Sequence, residues 1–488
     1  MRSQLIVHKD RQNIFVGYAI LVIVSVFASI ALETITFVAL PLAFLVALQA
    51  IFDYEKLFFL LFACIPLSIE FSFSSSLATD LPTEPLIIGL AAVYLIHIIS
   101  KPKDIDFAII KHPITTILLL HLVWILITTL TSSSFGISLK FFLAKGWYII
   151  TFYFLTYHIV SSEKKIDLIL WLIVIPLFFG SVKVFIHHFT LDFGFKEINA
   201  ATHPFFRNHV NYAAILAIVT PFVWYLQKWA PRQIRGRSVA RIIGLYFIIA
   251  IGFAYTRAAY IALLLAFAAY WVIRFRLIFW AMLVSSLLVL SVVTYLVTAN
   301  KFMEYAPTEK TVSHTSFDGI MSSTTKLEDV STMERYYRWI AGTRMIAQKP
   351  FVGFGPSTFR EYYKPYALAR FTTYVSDNPE GSGIHNYYLM TFVEQGLPGF
   401  IIFLLLAFFV LIYGQKIYHL TPIENKKRRD LIMAITLSLV VIDAFQIIND
   451  LVETDKVGAF FFFNIGVLVV LSKFNEQDQK QQEVVDVD

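Results

Sequence analysis

Residues 383–399 read Gly-Ile-His-Asn-Tyr-Tyr-Leu-Met-Thr-Phe-Val-Glu-Gln-Gly-Leu-Pro-Gly, and they join a long polar segment to an apolar run. His385 and Asn386 therefore lie where water meets the membrane. Asn386 can cap a short helix over Tyr387 to Gln395, whose aromatic side chains suit the interface. The glycines and proline that begin at Gly396 end this helix and start another. The stretch thus predicts two helices that meet at the membrane surface.

His385 has two possible roles at such a boundary. An imidazole held at a membrane surface between two helix signals can carry acid–base chemistry. The alternative is an interfacial histidine that only makes hydrogen bonds, and the stretch by itself favours this alternative. Glu394 lies nine residues further along the chain, on the opposite face of a helix, so we interpret it as a structural anchor rather than a partner of the imidazole.

The composition identifies a membrane protein. Hydrophobic residues make up 57% and aromatic residues 16% of the 488-residue chain, which is more apolar than a soluble protein. Apolar runs of spanning length recur almost from end to end, and they lack the alternating polarity of β-barrel strands. We therefore predict an all-α, polytopic transmembrane helical bundle. Its expected surroundings are membrane lipids, and we expect no nucleic acid as a partner. Cys64 is the only cysteine, so no intramolecular disulfide can form.

Fourteen apolar runs are candidate spans, of which the second and third are short, so we expect about 12–14 spans. They cover about 14–32, 35–51, 56–71, 85–100, 113–131, 141–160, 166–189, 210–227, 239–255, 258–274, 277–299, 397–414, 430–449 and 457–473. With a cytoplasmic N-terminus, the lysine and arginine clusters fall in the inner loops, as the positive-inside rule requires.

The hydropathy pattern divides the chain into four parts. Residues 1–299 form N-terminal transmembrane helices with about 11 spans, and residues 300–396 form a periplasmic cap that ends in the interfacial helix. Residues 397–473 form the C-terminal transmembrane helices with about three spans. Residues 474–488 are polar and acidic, which predicts a disordered cytoplasmic tail. Within the cap, Met333 to Gln348 has a helical composition.

Two arginines depart from the positive-inside rule, which disfavours arginine in short outer loops. Each of them lies in a short predicted outer loop. Arg207 precedes the eighth span, and Arg257 lies at the tight turn between the ninth and tenth. A guanidinium fork binds phosphate through two hydrogen bonds, and a helix N-terminus beside it adds N–H donors. The alternative is that both side chains snorkel or pair with acidic residues of the cap. Two exceptions on one face favour a binding site for an anion such as a diphosphate.

A metal site is not predicted at this face. Four histidines precede the eighth span, namely His187, His188, His203 and His209. The nearby acidic residues are Asp192 and Glu197, and none of these residues has the spacing of a ligand set. Lys145 and Lys183 lie toward the outer ends of their spans and are expected to add to the positive field. We therefore expect no metal and no cofactor.

Four segments of the chain carry a family resemblance in their order. They are Arg207-Asn-His-Val-Asn-Tyr-Ala-Ala, Tyr255-Thr-Arg-Ala-Ala, Arg338-Trp followed later by Pro350-Phe-Val-Gly-Phe-Gly-Pro-Ser-Thr-Phe359, and His385-Asn through Gly399. Together they resemble the O-antigen ligase and O-antigen polymerase family of bacterial envelope glycosyltransferases. The likeness covers about residues 205–410, and the earlier residues agree in hydropathy only. His209 and the threonine before Arg257 depart from the family pattern.

The resemblance implies transfer of a glycan from a polyprenyl diphosphate donor to a hydroxyl acceptor at the periplasmic face of the bacterial inner membrane, without a metal. The acceptor is a lipid A-core sugar in ligases and another carrier-linked repeat in polymerases. By this resemblance, Arg207 and Arg257 bind the donor diphosphate, and Arg338 contacts the donor or its glycan. His385 takes the proton from the acceptor hydroxyl.

Other functions make different demands on the sequence. A polysaccharide flippase would also have many spans, but its halves should match and its charges should line a path at mid-membrane. Here the halves differ and the charges gather at one face. A non-catalytic assembly partner gives no reason for arginines in short outer loops. The sequence therefore predicts an O-antigen ligase-like glycosyltransferase, with an O-antigen or exopolysaccharide polymerase as the alternative.

Overall fold

The chain is almost wholly helical in the computed structural model. The structure describes residues 17–18, 20–25, 27, 41, 44, 53–74, 77–104, 106–231, 235–298, 330–369, 376 and 382–485. Within these residues the β-structure is a single antiparallel hairpin, in which Ile69 pairs with Leu81. The predicted all-α polytopic fold is confirmed, since apolar helices dominate the described chain.

The described chain consists mostly of α-helices. The helices are α1 (Tyr54–Cys64), α2 (Thr83–Ser100), α3 (Pro113–Leu130), α4 (Phe135–Ile149), α5 (Leu155–Ile159), α6 (Glu163–Phe189), α7 (Ile198–Thr202), α8 (His209–Trp229), α9 (Gly236–Phe253), α10 (Arg257–Arg274), α11 (Ile278–Val297), α12 (Val330–Gln348), α13 (Phe359–Tyr362), α14 (Tyr387–Leu420), α15 (Lys426–Ile448) and α16 (Asp455–Val485). The strands are β1 (Ile69–Ser74) and β2 (Leu77–Leu81), a π-helical turn at Ile150–Phe154 joins α4 to α5, and 3-10 helices cover Ile65–Leu67, Pro102–Asp104, Phe107–Lys111, Lys364–Tyr366 and Leu451–Glu453.

Eleven helical segments of the described chain are long and apolar enough to cross a membrane. They are α2, α3, the continuous α4–α5 segment, α6, α8, α9, α10, α11, α14, α15 and α16. Within these segments, α16 is the most enclosed, with 83% of its apolar window buried, and α11 is the least, with 6%. With α8 and α15 each 72% buried, these two helices and α16 form the centre of the bundle, and α11 lies at its margin.

The expected span over residues 56–71 is wrong. Helix α1 has only 11 residues, so it rises about 16 Å and cannot cross the hydrocarbon layer of about 30 Å. Pro66 lies in the 3-10 turn that follows, and the chain then runs into the β1–β2 hairpin. The two preceding expected spans, 14–32 and 35–51, fall largely outside the described residues.

The prediction of a disordered tail over residues 474–488 also needs correction. Helix α16 continues through this segment to Val485. Arg428 on α15 holds it, because its Nη1 donates to Asn475 Oδ1 at 3.0 Å and pairs with Asp478 at 2.6 Å. Asn475 also donates to the Thr421 hydroxyl at 2.8 Å. These long-range contacts order a sequence whose own composition does not favour a packed helix.

Contacts between distant residues mark the two ends of the bundle. At one end, Lys427 pairs with Asp167 at 2.7 Å, and Arg428 pairs with Glu163 at 2.7 Å. At the other end lie the hairpin and the described part of the predicted cap, residues 330–369 and 382–386. Ser133, in the turn between α3 and α4, donates its N–H to Phe354 O of the cap at 2.8 Å. The cap is thus attached to the end of the bundle opposite Lys427 and Arg428.

The orientation can be tested by thiol labelling in a Cys64→Ser background. We expect a membrane-impermeant maleimide to label Glu361→Cys in the cap from the outer side of the membrane, and to label Glu424→Cys only after permeabilisation. Both residues are exposed, so access to the label depends on the side of the membrane. The expectation follows from the concentration of lysine and arginine at the Glu424 end. The reverse labelling pattern would invert the topology.

Candidate functional site

His385 is held in a fixed position where the cap meets α14 and α15. The Asn386 side chain caps α14 by accepting the Leu389 N–H at 2.8 Å, and its Nδ2 donates to Ile447 O at 2.8 Å. The backbone of His385 has a φ of 58°, a left-handed conformation that is uncommon for residues other than glycine. The prediction that Asn386 is the N-cap of the helix beginning at Tyr387 is therefore confirmed.

Arg338 on α12 clamps the residues that precede His385. Its Nη1 donates to Gly383 O at 2.8 Å, and its Nη2 lies 3.4 Å from a carboxylate oxygen of Glu334. Trp339 Nε1 donates to Ile384 O at 3.1 Å. Arg338 is buried, with 4% of its surface exposed. It therefore lies beside His385 as part of the cap, rather than on an open surface.

Arg207 and Arg257 occupy neighbouring helix starts. Arg207 is exposed and lies just before Asn208, whose side chain caps α8 by accepting the Asn211 N–H at 2.9 Å. Arg257 is the first residue of α10. The hydroxyl of Thr256 donates to the His209 carbonyl at 3.3 Å and so joins the two helix starts. The two residues that depart from the family pattern are thus in contact with each other.

Asp450 links Arg207 to the His385 region. Burial raises the pKa of the Asp450 carboxyl, and the positive charges of Arg338 and Arg207 act in the opposite direction. The carboxyl also lies against Gly383, where an added Cβ would overlap it. Asp450 therefore touches the segment of residues 383–385 at Gly383 and lies within the electrostatic range of Arg207 and Arg338. Sequence reasoning missed this residue, although an acidic side chain in a short outer turn was a signal of the same kind as the two arginines.

The imidazole of His385 differs from the ordinary one expected from the sequence. Burial lowers the pKa of His385 to about 3, and the charges of Arg335 and Arg338 add to this effect, while hydrogen bonding with Asn449 opposes it. Its Nδ1 is buried and has no hydrogen-bond partner within the described residues. His385 is therefore a neutral imidazole at physiological pH, with one ring nitrogen available.

Two lysines expected to strengthen the positive field are neutralised or occupied. Lys145 is buried, and its Nζ pairs with Glu453 at 2.7 Å. The Tyr387 hydroxyl donates to the same Glu453 carboxylate. Lys183 donates to the backbone carbonyl of His203. Lys145 and Glu453 thus anchor the start of α14, two residues after His385.

Glu394 is an anchor, as its position predicts. Its two carboxylate oxygens accept the N–H groups of Ser357 at 2.8 Å and Phe359 at 3.0 Å. Its backbone carbonyl accepts the Gly355 N–H at 2.9 Å. These bonds attach the glycine turn of the cap to α14, at a distance from the His385 ring. The helix then breaks at Gly396, which has a φ of 69° and a ψ of −173°.

Two of the outer-face histidines make polar contacts with other groups of the protein. His188 Nε2 lies 3.0 Å from Gly194 O, and His209 Nδ1 lies 2.7 Å from Asn199 Oδ1. In the described part of the chain, no three His, Cys, Asp or Glu side chains come together as a metal site would require.

The family comparison matches the segment that carries most of this site. Residues 242–404 match the family model described as O-antigen ligase. The chain carries an O-antigen ligase family domain. This confirms the resemblance, and the family consists of enzymes, the O-antigen ligase and polymerase-type glycosyltransferases. The matched segment includes Arg257, Arg338 and His385, whereas Arg207 and Asp450 lie outside it. No curated protein matches the chain.

Gly396 offers a test of the attachment between the cap and α14. An added Cβ would collide with the Phe351 carbonyl, and the left-handed conformation itself disfavours alanine. We expect Gly396→Ala to destabilise the protein by about 1–3 kcal/mol and to lower its thermal unfolding midpoint in detergent. Gly89→Ala is the control, since no heavy atom lies within 4 Å of a Cβ there. Equal midpoints for both variants would show that the collision is relieved without cost.

Proposed function

We propose that the protein is an O-antigen ligase-like glycosyltransferase that moves a glycan from a polyprenyl diphosphate donor to a hydroxyl acceptor. The observation that carries this proposal is the placement of His385 and Arg338 side by side within the segment that matches the O-antigen ligase family, with Arg207 and Arg338 both acting on Asp450. The reaction would take place on the face that bears the cap. The distribution of lysine and arginine supports a periplasmic position for this face in a bacterial inner membrane.

The donor diphosphate fits the paired starts of α8 and α10. Each start offers backbone N–H groups and the positive end of a helix dipole, and each adds an arginine, Arg207 or Arg257. The contact between Thr256 and His209 keeps the two starts together. As the glycosidic bond breaks, negative charge develops on the leaving diphosphate. Fixed guanidinium groups stabilise this charge more strongly than the ground state, which lowers the barrier.

His385 is the proposed general base. Its lowered pKa keeps the imidazole neutral in the free enzyme, so a ring nitrogen can accept the proton of the acceptor hydroxyl. The acceptor oxygen then bonds to the anomeric carbon, and the carbon–oxygen bond to the diphosphate breaks. A neutral imidazole with so low a pKa is a weak base. The negative charges of a bound diphosphate raise the pKa of a nearby imidazole, so donor binding would strengthen the base.

The acceptor distinguishes a ligase from a polymerase, and the family contains both. We propose a ligase that acts on a lipid A-core sugar or another surface anchor, with an O-antigen or exopolysaccharide polymerase as the alternative. A deletion strain separates them by its surface glycan. Loss of the whole polymer from its lipid anchor indicates a ligase, whereas single repeats on the anchor indicate a polymerase. Unchanged surface glycan would contradict both.

The arginines can be tested by donor consumption in proteoliposomes. We expect Arg207→Ala and Arg257→Ala each to lower turnover by about 10²–10³, as for loss of one charge-stabilising group. Lysine at either position should rescue activity only in part, because it lacks the bidentate fork. Arg274→Ala, at the opposite end of α10, is the matched control and should keep normal turnover. EDTA is present throughout, because we propose a metal-independent reaction.

Two outcomes of that assay would contradict the proposal. Near-normal turnover in both alanine variants, at confirmed expression, would remove Arg207 and Arg257 from the reaction. Loss of wild-type turnover in EDTA, with recovery on adding one divalent metal, would contradict metal independence.

The pH dependence of transfer tests His385. For wild type we expect kcat/KM for the donor to stay flat down to about pH 5. This ratio depends on the pKa of His385 in the free enzyme, which is low. The acid limb of kcat should lie at higher pH, because bound diphosphate favours the charged imidazole. Arg335→Gln removes a positive neighbour and should shift the limb of kcat/KM upward. Arg344→Gln, on the same helix but exposed, is the control.

Substitution of His385 separates the base from a positioning role. As a base, His385→Ala should lower the rate by about 10²–10⁴ with nearly unchanged donor binding. His385→Gln should be almost as poor, since it cannot take the proton. If His385 instead held the diphosphate as a cation, His385→Ala would lose donor affinity, glutamine would rescue in part, and wild-type activity would rise at low pH. His97→Ala, far from the site, is the control.

A further inference from the structure

An open pocket of about 240 Å³ lies between the polar extension of α16, residues 472–485, and the connector that joins α2 to α3. This is the end of the bundle opposite the cap, because the same extension pairs with Arg428 through Asp478 at 2.6 Å. Lys473 joins the two walls of the pocket, since its Nζ pairs with Asp106 of the connector at 2.7 Å. A water molecule takes about 30 Å³ in the liquid, so the pocket can hold a polar group much larger than one water.

The pocket lies at the level where α16 passes from apolar to polar sequence. The apolar run of this helix ends at Leu471, and Ser472 begins its polar part. Val469 and Ile109 give the pocket apolar surface, whereas Ser472 and the charged residues that follow give it polar surface. On the connector, Ile110 is 47% exposed beside Ile109. A pocket at such a boundary lies at the depth of the lipid headgroups.

Charges of both signs line the pocket. Lys473 is paired with Asp106, but an ammonium has three N–H donors, so it can also donate to a ligand. Glu476 and Lys480 lie one helical turn apart on the face of α16 that lines the pocket. Neither of them forms an ion pair with another described residue. Helical side chains tilt toward the N-terminus of their helix, which directs Lys480 back toward Glu476 and the membrane.

This charge balance selects among lipid headgroups. A headgroup with only negative charge would meet the Glu476 carboxylate as well as the lysines, and one with only positive charge would meet the lysines. A phosphoethanolamine group carries a phosphate and a primary ammonium, so it can satisfy both signs. A trimethylated ammonium has no N–H to donate to Glu476. Lys473 also lies over the ring of Tyr157 at 4.4 Å, so that face is not free to hold a quaternary cation.

We propose that this pocket binds the phosphoethanolamine headgroup of a membrane phospholipid. The phosphate accepts hydrogen bonds from Lys473 and Lys480, and the ammonium donates to Glu476. The bound headgroup joins the connector to the extension of α16, which Arg428 already holds. Because the pocket lies at the end of the bundle opposite the cap, lipid binding there is independent of the proposed glycan transfer.

Lipid binding can be measured by native mass spectrometry on the full chain after removal of lipid in detergent. We expect phosphatidylethanolamine to bind more tightly than phosphatidylglycerol, which has no ammonium, and phosphatidylcholine, whose ammonium has no N–H. Lys480→Gln and Glu476→Gln should each raise the Kd for phosphatidylethanolamine about fivefold, as for loss of one exposed charge contact. Glu476→Gln should also bind phosphatidylglycerol more tightly than the wild type does. Lys426→Gln and Glu424→Gln, exposed at the same end but outside the pocket, are the matched controls.

Each outcome of the lipid titration decides for or against this site. Equal affinity of the wild type for the three lipids, or a preference for phosphatidylglycerol, would overturn the inference. An unchanged Kd in both pocket variants, with folding verified by thermal unfolding, would overturn it as well. Competition by soluble glycerophosphoethanolamine at the concentration of the lipid itself would contradict the assignment to a lipid. A preference for phosphatidylethanolamine that Glu476→Gln abolishes and both controls keep supports the site.

Discussion

The site depends on the attachment of residues 383–386, the segment that contains His385, to the C-terminal end of α15. The last carbonyls of a helix lack partners within the helix and must find them elsewhere when water is excluded. Here Asn386 and Arg335 supply them, at Ile447 and Ile448. Arg338 holds the same segment from the other side, because it donates a hydrogen bond to the Gly383 carbonyl. A backbone requirement of one transmembrane helix thereby fixes the position of a side chain 63 residues earlier in the chain.

Two acidic residues face the positive charges at the cap end. Lys145 is buried, and its ammonium pairs with Glu453, which Tyr387 joins through its hydroxyl. Removal of Glu453 would be costly, because the Lys145 charge would be left in a medium of low polarity. Asp450 lies within the fields of Arg207 and Arg338. The two carboxylates therefore offset part of the positive charge at this end of the bundle.

The cap is attached to the membrane helices at more than one point. Glu394 holds the turn around Ser357 and Phe359 from within α14, and the turn between α3 and α4 holds Phe354. Because the same helix α14 begins just after His385, any shift of the cap would move the imidazole as well. The cap and the His385 ring are therefore held in a fixed relation to each other.

The local features of this protein are determined by the sequence itself. Apolar length specifies spanning helices, because lipid leaves no other way to satisfy the backbone. Asn386 specifies the N-cap of α14 through a short-range hydrogen bond. Gly396 specifies the break in α14 through its backbone freedom. The charge rule singles out Arg207 and Arg257, and the order of short motifs is sufficient for the family.

The tertiary structure decided everything that depends on residues far apart in the chain. The low pKa of His385 comes from burial and from arginines on another helix, and the pairing of Lys145 joins residues 308 positions apart. Asp450 comes to lie against Gly383 because the end of α15 packs against the cap. The ordered tail and the hairpin in place of a third span have the same origin. Sequence patterns report a residue's own preferences, whereas these properties depend on the distance between groups, which only the packed helices fix.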